Sequence, residues 1–260
     1  MKKLISILLT LTMILSCTLA FAEEASETTK IRYEGDGFDT PEDAVICYMN
    51  GLKNLDFEQM LSAFAWETLA SHYSAEELAK RMKAYNPVTP ARMPGFNEFM
   101  VTANLHSLRA NESRMIYSAL EAYIMGEEFP NGMAIALKED ADVDAFLKKF
   151  DNGKLEELSG MGEILFLTPD MVTKSKFSME QNQNTLLKQT AQFGADELVN
   201  VVATAAVGKG VIVCMPTVAR YGDRWYMVSV GSLLQNILGI DVNHQAFFYT
   251  EDALEMLFGR

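Results

Sequence analysis

Basic residues are scarce in this chain: 22 Lys and Arg stand against 35 Asp and Glu, a formal charge of −13 over 260 residues. Nucleic-acid binding draws its affinity from clustered Lys and Arg that displace counterions, so this balance excludes a phosphate-backbone partner. Cysteine and histidine number only three each. Neither a C-x-x-C nor an H-E-x-x-H spacing occurs, which removes the common zinc motifs, and no G-x-S-x-G marks a nucleophile elbow. Ser159-Gly160-Met161-Gly162 only approximates one and reads as a loop. Beyond the N-terminus there is no apolar run long enough to cross a bilayer. What remains, 49% hydrophobic and 22% charged, suffices for one large core.

A calcium loop is the nearest approach to a metal motif, with Asp140, Asp142 and Asp144 and then Asp151 at the twelfth position. Ala145 stands where that loop needs Gly, and Phe146, Leu147 and Phe150 form a helical stripe, so these acids read as the start of a helix. Cys47 could in principle face His72, His106 or His244, but no local signature assembles a Cys–His pair. Neither metal nor cofactor is expected.

The opening residues give an address. Lys2 and Lys3 precede an apolar run from Leu4 to Leu15, followed by small residues, which is the grammar of a signal peptide over residues 1–22. Two exits compete: Ala20-Phe21-Ala22 is a cleavage site before Glu23, and Ile14-Leu15-Ser16-Cys17 approximates a lipoprotein box with Cys17 as the lipidated residue. The first is the better fit. Removing residues 1–22 takes away two lysines and no acid, so the formal charge deepens from −13 to −15. The expected localisation is extracytoplasmic, with membrane contact only through the signal segment or a lipid on Cys17. Cys47 and Cys214 then remain, an even count that permits a disulfide in an oxidising compartment. Their places in a helical face and in a strand read them instead as small apolar residues.

Residues 23–38 are a polar lead-in, and a single domain spans residues 39–260. Thr40, Pro41, Glu42 and Asp43 open a helix whose apolar stripe is Val45, Tyr48, Met49 and Leu52. Asp56 and Gln59 open a second, with Phe57, Met60, Leu61, Phe64 and Ala65 on one side, and Ser74 with Glu77 opens a third that ends near Tyr85. Two further helical patterns cover 96–108 and 115–125, and another covers 142–150. Beyond Gly153 the period shifts to that of strands. Ile164 to Leu167 is a short strand, a polar helix spans Ser178 to Phe193, and strands follow over 197–207, 211–221 and 224–230. Gly222-Asp223 is a hairpin turn, and Pro216, lacking an N–H, marks a bulge or an edge. Helical segments at 232–238 and 250–258 close the chain.

The stretch from Phe38 to Val45, followed by Tyr48, Gly51-Leu52-Lys53 and the helix from Asp56 to Phe64, resembles the opening helices of exported bacterial members of the nuclear-transport-factor-like superfamily. The late run Tyr221-Gly222-Asp223-Arg224-Trp225-Tyr226 is similar to the closing hairpin of that superfamily, which also contains ketosteroid-isomerase-like and cyclase-like enzymes. The resemblance implies an α+β fold, with N-terminal helices packed on a curved C-terminal antiparallel sheet in a cone, and with a helical insertion at about 74–150. It also implies a pocket at the wide end, for which Tyr48, Trp66, Trp225 and Tyr226 are the candidate lining residues. The buried acid that isomerase chemistry requires is not identified. The expected function is therefore a non-enzymatic module that binds a small ligand, a cell-envelope component or a protein. The alternative is a pocket enzyme of isomerase or cyclase type.

Overall fold

Helix α1 (Pro41–Lys53) begins where its capping signals lie. Thr40 Oγ1 accepts the N–H of Asp43 at 3.1 Å, Pro41 occupies the first turn, and Glu42 and Asp43 face the positive end of the dipole. Helix α2 (Phe57–Ser62) is capped by Asp56, whose carboxylate accepts the N–H of Gln59 at 2.9 Å. It stops short of the expected Ala65 because residues 63–65 give their main chain to the sheet. The N–H of Met227 donates to Ala63 O at 2.9 Å, and the N–H of Ala65 donates to Met227 O at 3.0 Å. Helix α3 (Trp66–His72) then resumes, and Ser74 caps α4 (Ala75–Met82). These coordinates are a computed structural model that describes residues 31–84, 93–126, 137–150, 153–240 and 248–258. The expected signal segment, Cys17, the lead-in up to residue 30, Asp151 and His244 lie outside the described residues.

The two helical patterns at 96–108 and 115–125 are one helix, α5 (Glu98–Met125), 28 residues long. The polar segment Arg109 to Arg114 between them contains neither Pro nor Gly, so nothing interrupts the hydrogen-bond ladder. The buried face continues through it as Leu105, Leu108, Glu112, Ile116, Ala119 and Tyr123, at steps of three and four. The apolar members of that face join the same core as α1 and the sheet. Helix α6 (Val143–Leu147) starts at Asp142, whose Oδ1 accepts the N–H of Ala145 at 2.9 Å.

The protein is α+β, with the helices packed on antiparallel sheet. Its strands are β1 (Leu165–Leu167), β2 (Glu197–Asn200), β3 (Val202–Val207), β4 (Gly210–Cys214), β5 (Thr217–Tyr221), β6 (Arg224–Ser229) and β7 (Phe248–Thr250). Each of the two long strands expected at 197–207 and 211–221 is broken in two. The register does not change across the break: Asn200 pairs with Thr217, and Ala203 with Cys214. Pro216 has no N–H to give, and its carbonyl still accepts the N–H of Val201 at 3.1 Å. The hairpin bends there and divides its partners. Its lower half forms the sheet β2-β5-β6, and its upper half forms β1-β3-β4-β7. Beside the bend, Thr217 faces Ser229 whereas Val218 faces Met227, so Val228 is the extra residue of a bulge.

Period-two alternation then serves two cores. Ala203, Ala205, Ile212 and Cys214 face α1 and α5, while Val202, Val213 and Met215 face the opposite side. That second side is closed by Val172 of α7 (Pro169–Thr173), Leu234 of α9 (Leu233–Leu238), Tyr249 of β7 and Phe258 of α10 (Glu251–Phe258). Helix α8 (Glu180–Phe193) packs against α4 and leads into β2. Among the described residues Cys47, half-buried, and Cys214, buried, are free thiols, so the permitted disulfide between them does not form.

The turn between α1 and α2 depends on a close approach at Gly51. A Cβ there would lie 2.6 Å from Met60 N and 2.8 Å from Met60 Cγ. Alanine usually outperforms glycine inside a helix by about 1 kcal/mol, but here the overlap reverses the sign. Gly51→Ala is expected to lower unfolding free energy by about 1–3 kcal/mol in urea titration, the range for overpacking; a stabilised variant would refute the contact.

Candidate functional site

Of the four aromatic residues expected to line a pocket, three are core residues: Tyr48 is 3% exposed, Trp66 1% and Tyr226 7%. Trp66 sits at the first position of α3. Its ring stacks on Phe64 at 4.8 Å between centroids, and its Nε1–H donates to Leu61 O at 2.8 Å, so both its face and its polar edge are used. Phe64 in turn meets the edge of Tyr48 at 6.2 Å. Tyr226 packs against Gly37, whose φ of +76° and close approach leave no room for a side chain. Trp225 is half-buried on β6, where its main chain exchanges two hydrogen bonds with Phe38 and the Arg220 guanidinium lies 5.8 Å from its ring. Tyr48, Trp66 and Tyr226 therefore belong to one packed cluster, with Trp225 at its margin.

A buried acid is present, on α5 and not on the first helices. Glu112 is 6% exposed and lies near enough to Tyr48 of α1 to act on its charge. Its Oε2 accepts the N–H of Val230 at 2.8 Å, and its Oε1 accepts from Asn111 Nδ2 at 3.1 Å. Ser229 also hydrogen-bonds to it. Burial raises its pKa above the ordinary carboxyl range, against the opposing pull of those donors and of Arg114. Tyr48 is likewise pushed well up, chiefly by burial and further by Cys214 and Glu112. From Ser229 a polar seam follows the corner of the sheet. Ser229 Oγ accepts the N–H of Gly231 at 3.1 Å, Thr217 Oγ1 donates to Gly231 O at 2.8 Å, and Asn200 Nδ2 reaches Thr217 Oγ1 at 3.4 Å. Among the described residues, Asn200 Oδ1 is buried without a hydrogen-bond partner. Glu112 was findable in the sequence: it occupies the position four residues after Leu108 and four before Ile116, in the middle of an otherwise apolar stripe.

An open groove of about 330 Å³ lies on the other side of α5, between it and α2. Phe57 and Ala110 supply its apolar surface over the buried Leu61, and Glu58, His106, Arg109 and Ser113 its polar groups. Arg109 bonds to Glu58 Oε2 at 2.8 Å, and its guanidinium lies 4.4 Å from the centre of the Tyr33 ring. His106 meets the same ring edge-on at 5.7 Å. His72, at the end of α3, bonds through Nδ1 to Thr68 O at 2.8 Å, within its own helix. Among the described residues no group of three His, Cys, Asp or Glu side chains is placed to hold a metal ion, and no helix is long and apolar enough to cross a membrane.

No protein-family model and no curated protein matches the chain. Among solved structures it is similar to a cystatin-like protein from Ruminococcus gnavus, at 14% identity and a TM-score of 0.42. The likeness covers 81% of this chain and 44% of the other, so the chain spans less than half the length of that protein.

The raised pKa of Glu112 sets the sign of a pH effect. The folded state holds this proton more tightly than the unfolded one, so the stability it contributes is complete below the ordinary value of 4.5 and is lost as pH rises through the higher folded value. Glu112→Gln keeps an acceptor for Val230 and removes the buried charge. The variant is therefore expected to gain stability relative to wild type between pH 4.5 and pH 7, measured by urea unfolding at each pH. A difference that stays flat, or falls, over that interval would contradict the burial of an ionisable carboxyl.

Proposed function

We propose that this chain is an exported bacterial member of the nuclear-transport-factor-like superfamily with a non-enzymatic binding role, and that it meets a cell-envelope component or another protein through the groove between α2 and α5. The observation that carries this reading is the contrast between the two faces of α5. The inner face is committed to a core in which Tyr48, Trp66 and Tyr226 pack, while the outer face keeps His106 and Ala110 exposed beside the half-buried Phe57. Groups already in van der Waals contact add nothing on binding; groups still in water do. In this reading Tyr48, Trp66 and Tyr226 hold the fold, and Trp225 covers the sheet where residue 38 joins it.

A second reading is favoured by Glu112. A carboxyl with a raised pKa beside a buried phenol is the pairing that a pocket enzyme of isomerase or cyclase type would use for proton transfer. Its oxygens are taken by Val230, Asn111 and Ser229, which supports a structural role at the corner of the sheet.

The readings separate in one experiment. The mature chain is immobilised and exposed to solubilised envelope material, with Ala110→Glu and Glu112→Gln as comparisons. Loss of the captured component with Ala110→Glu and its retention with Glu112→Gln is the expected result; the reverse pattern would move the site to the interior. The extracytoplasmic address is tested by mass spectrometry of the protein purified from its native host. A first residue of Glu23 is expected, and a mature N-terminus at a lipidated Cys17 would show a tethered protein instead.

A further inference from the structure

We infer that Arg109 and His106 anchor a carboxylate, and that the groove between α2 and α5 takes the C-terminal residue of a peptide whose last side chain is apolar. This rests on the groove being the binding surface proposed above and adds the chemistry of its ligand. Arg109 is held in place before any ligand arrives, since its guanidinium lies 4.4 Å from the centre of the Tyr33 ring and its side chain is 22% exposed. The acid that faces it, Glu58, is 79% exposed. An ion pair of that kind contributes only about 0.2–1 kcal/mol, so a carboxylate that also brings apolar contact can replace it. His106 precedes Arg109 by one turn of α5, and Ser113 follows by another, so the three polar groups share one helix face.

Charge selects the ligand. On a chain of formal charge −13, most of the surface repels an anion. In this groove the Arg109 guanidinium balances the Glu58 carboxylate, so the patch is formally neutral where the rest of the chain is acidic. The guanidinium can offer two parallel N–H bonds to a carboxylate, a geometry that an ammonium cannot copy. The apolar surface begins at Ala110, the residue next to Arg109, and continues to Phe57 across the groove, over the buried Leu61. Anchor and apolar surface therefore line the same groove. A C-terminal residue meets that spacing because its carboxylate and its side chain leave the same Cα, and capture of a terminal carboxylate is an established mode of peptide recognition. The volume of about 330 Å³ falls at the small end of ligand sites, roughly 300–1,000 Å³, which suits a terminal residue or two.

The test is an NMR titration of the mature chain with N-acetyl-Ala-Ala-Leu, against the same peptide as its C-terminal amide and against a peptide with an internal glutamate. The free acid is expected to shift the Arg109 Nε–H and the His106 ring resonances, with the amide and the internal acid at least about tenfold weaker. Arg109→Gln should remove the difference between acid and amide while leaving the thermal melt within a few degrees of wild type. Equal binding of the three peptides, shifts confined to other surfaces, or no shift at about 10 mM peptide would each overturn the proposal. If the peptides fail while Ala110→Glu still abolishes capture of envelope material, the carboxylate chemistry is wrong and the groove stands. If both fail, the groove reading falls as well.

Discussion

The hairpin from Glu197 to Tyr221 keeps one register along its whole length, yet Pro216 sits in the middle of it without an N–H. A flat continuation would leave the ladder incomplete at that point, and the hairpin bends there instead. The other elements follow from this corner. Below it, β5 pairs with β6, which carries the main chain of residues 63–65 and residue 38 along its edge. Above it, β4 pairs with β7 and β3 with β1, so the upper half of the hairpin has helices on both faces. Two cores of unequal size come from one hairpin because its two halves have different neighbours.

The corner also explains the buried carboxyl. Strand β6 ends at Ser229, beyond the bulge at Val228, and the N–H of Val230 has no strand to donate to. A buried N–H without an acceptor costs about as much as a lost hydrogen bond. Glu112 reaches it from α5, and Ser229, Thr217 and Asn200 continue the polar contacts along the same line. An acid at that point of the helix links α5 to a place where the sheet cannot satisfy itself. Burial then raises the pKa as a consequence of that position, with Tyr48 and Cys214 feeling the same low dielectric.

Local chemistry was legible at several points where one residue decides the outcome, though Ser178 does not cap the helix that begins at Glu180. Thr40, Asp56, Ser74 and Asp142 all cap helices, Gly222-Asp223 turns a hairpin, and Pro216 marks the bend. The early end of α2 was not legible, because residues 63–65 continue a good helical stripe and leave it only to bond Met227, more than 160 positions away. The union of two helical patterns into α5 was hidden by the polar run 109–114, whose single buried member is the acid. The aromatic residues are open to both a core and a pocket reading. Spacing places Tyr48 and Trp66 on inward faces, and it does not say whether an inward face meets a cavity or another side chain; Phe64, lying between them in contact, decides that.

The same accounting bears on why a surface of α5 remains open. A helix of 28 residues is about 42 Å long, and a single apolar stripe is enough to fix it to the core. The outer face needs only to be soluble, and in a chain with this excess of acid, added carboxylates would be the ordinary way to achieve that. The groove face instead carries Ala110, Ser113, His106 and an arginine steadied by Tyr33. None of these belongs to the buried core, and with Arg109 paired to Glu58 the patch is neutral on an acidic chain. Solubility and folding account for the inner stripe and for most of the outer acids. The exposed Ala110 and His106 serve neither, and they are the part of this face that the proposed partner would cover.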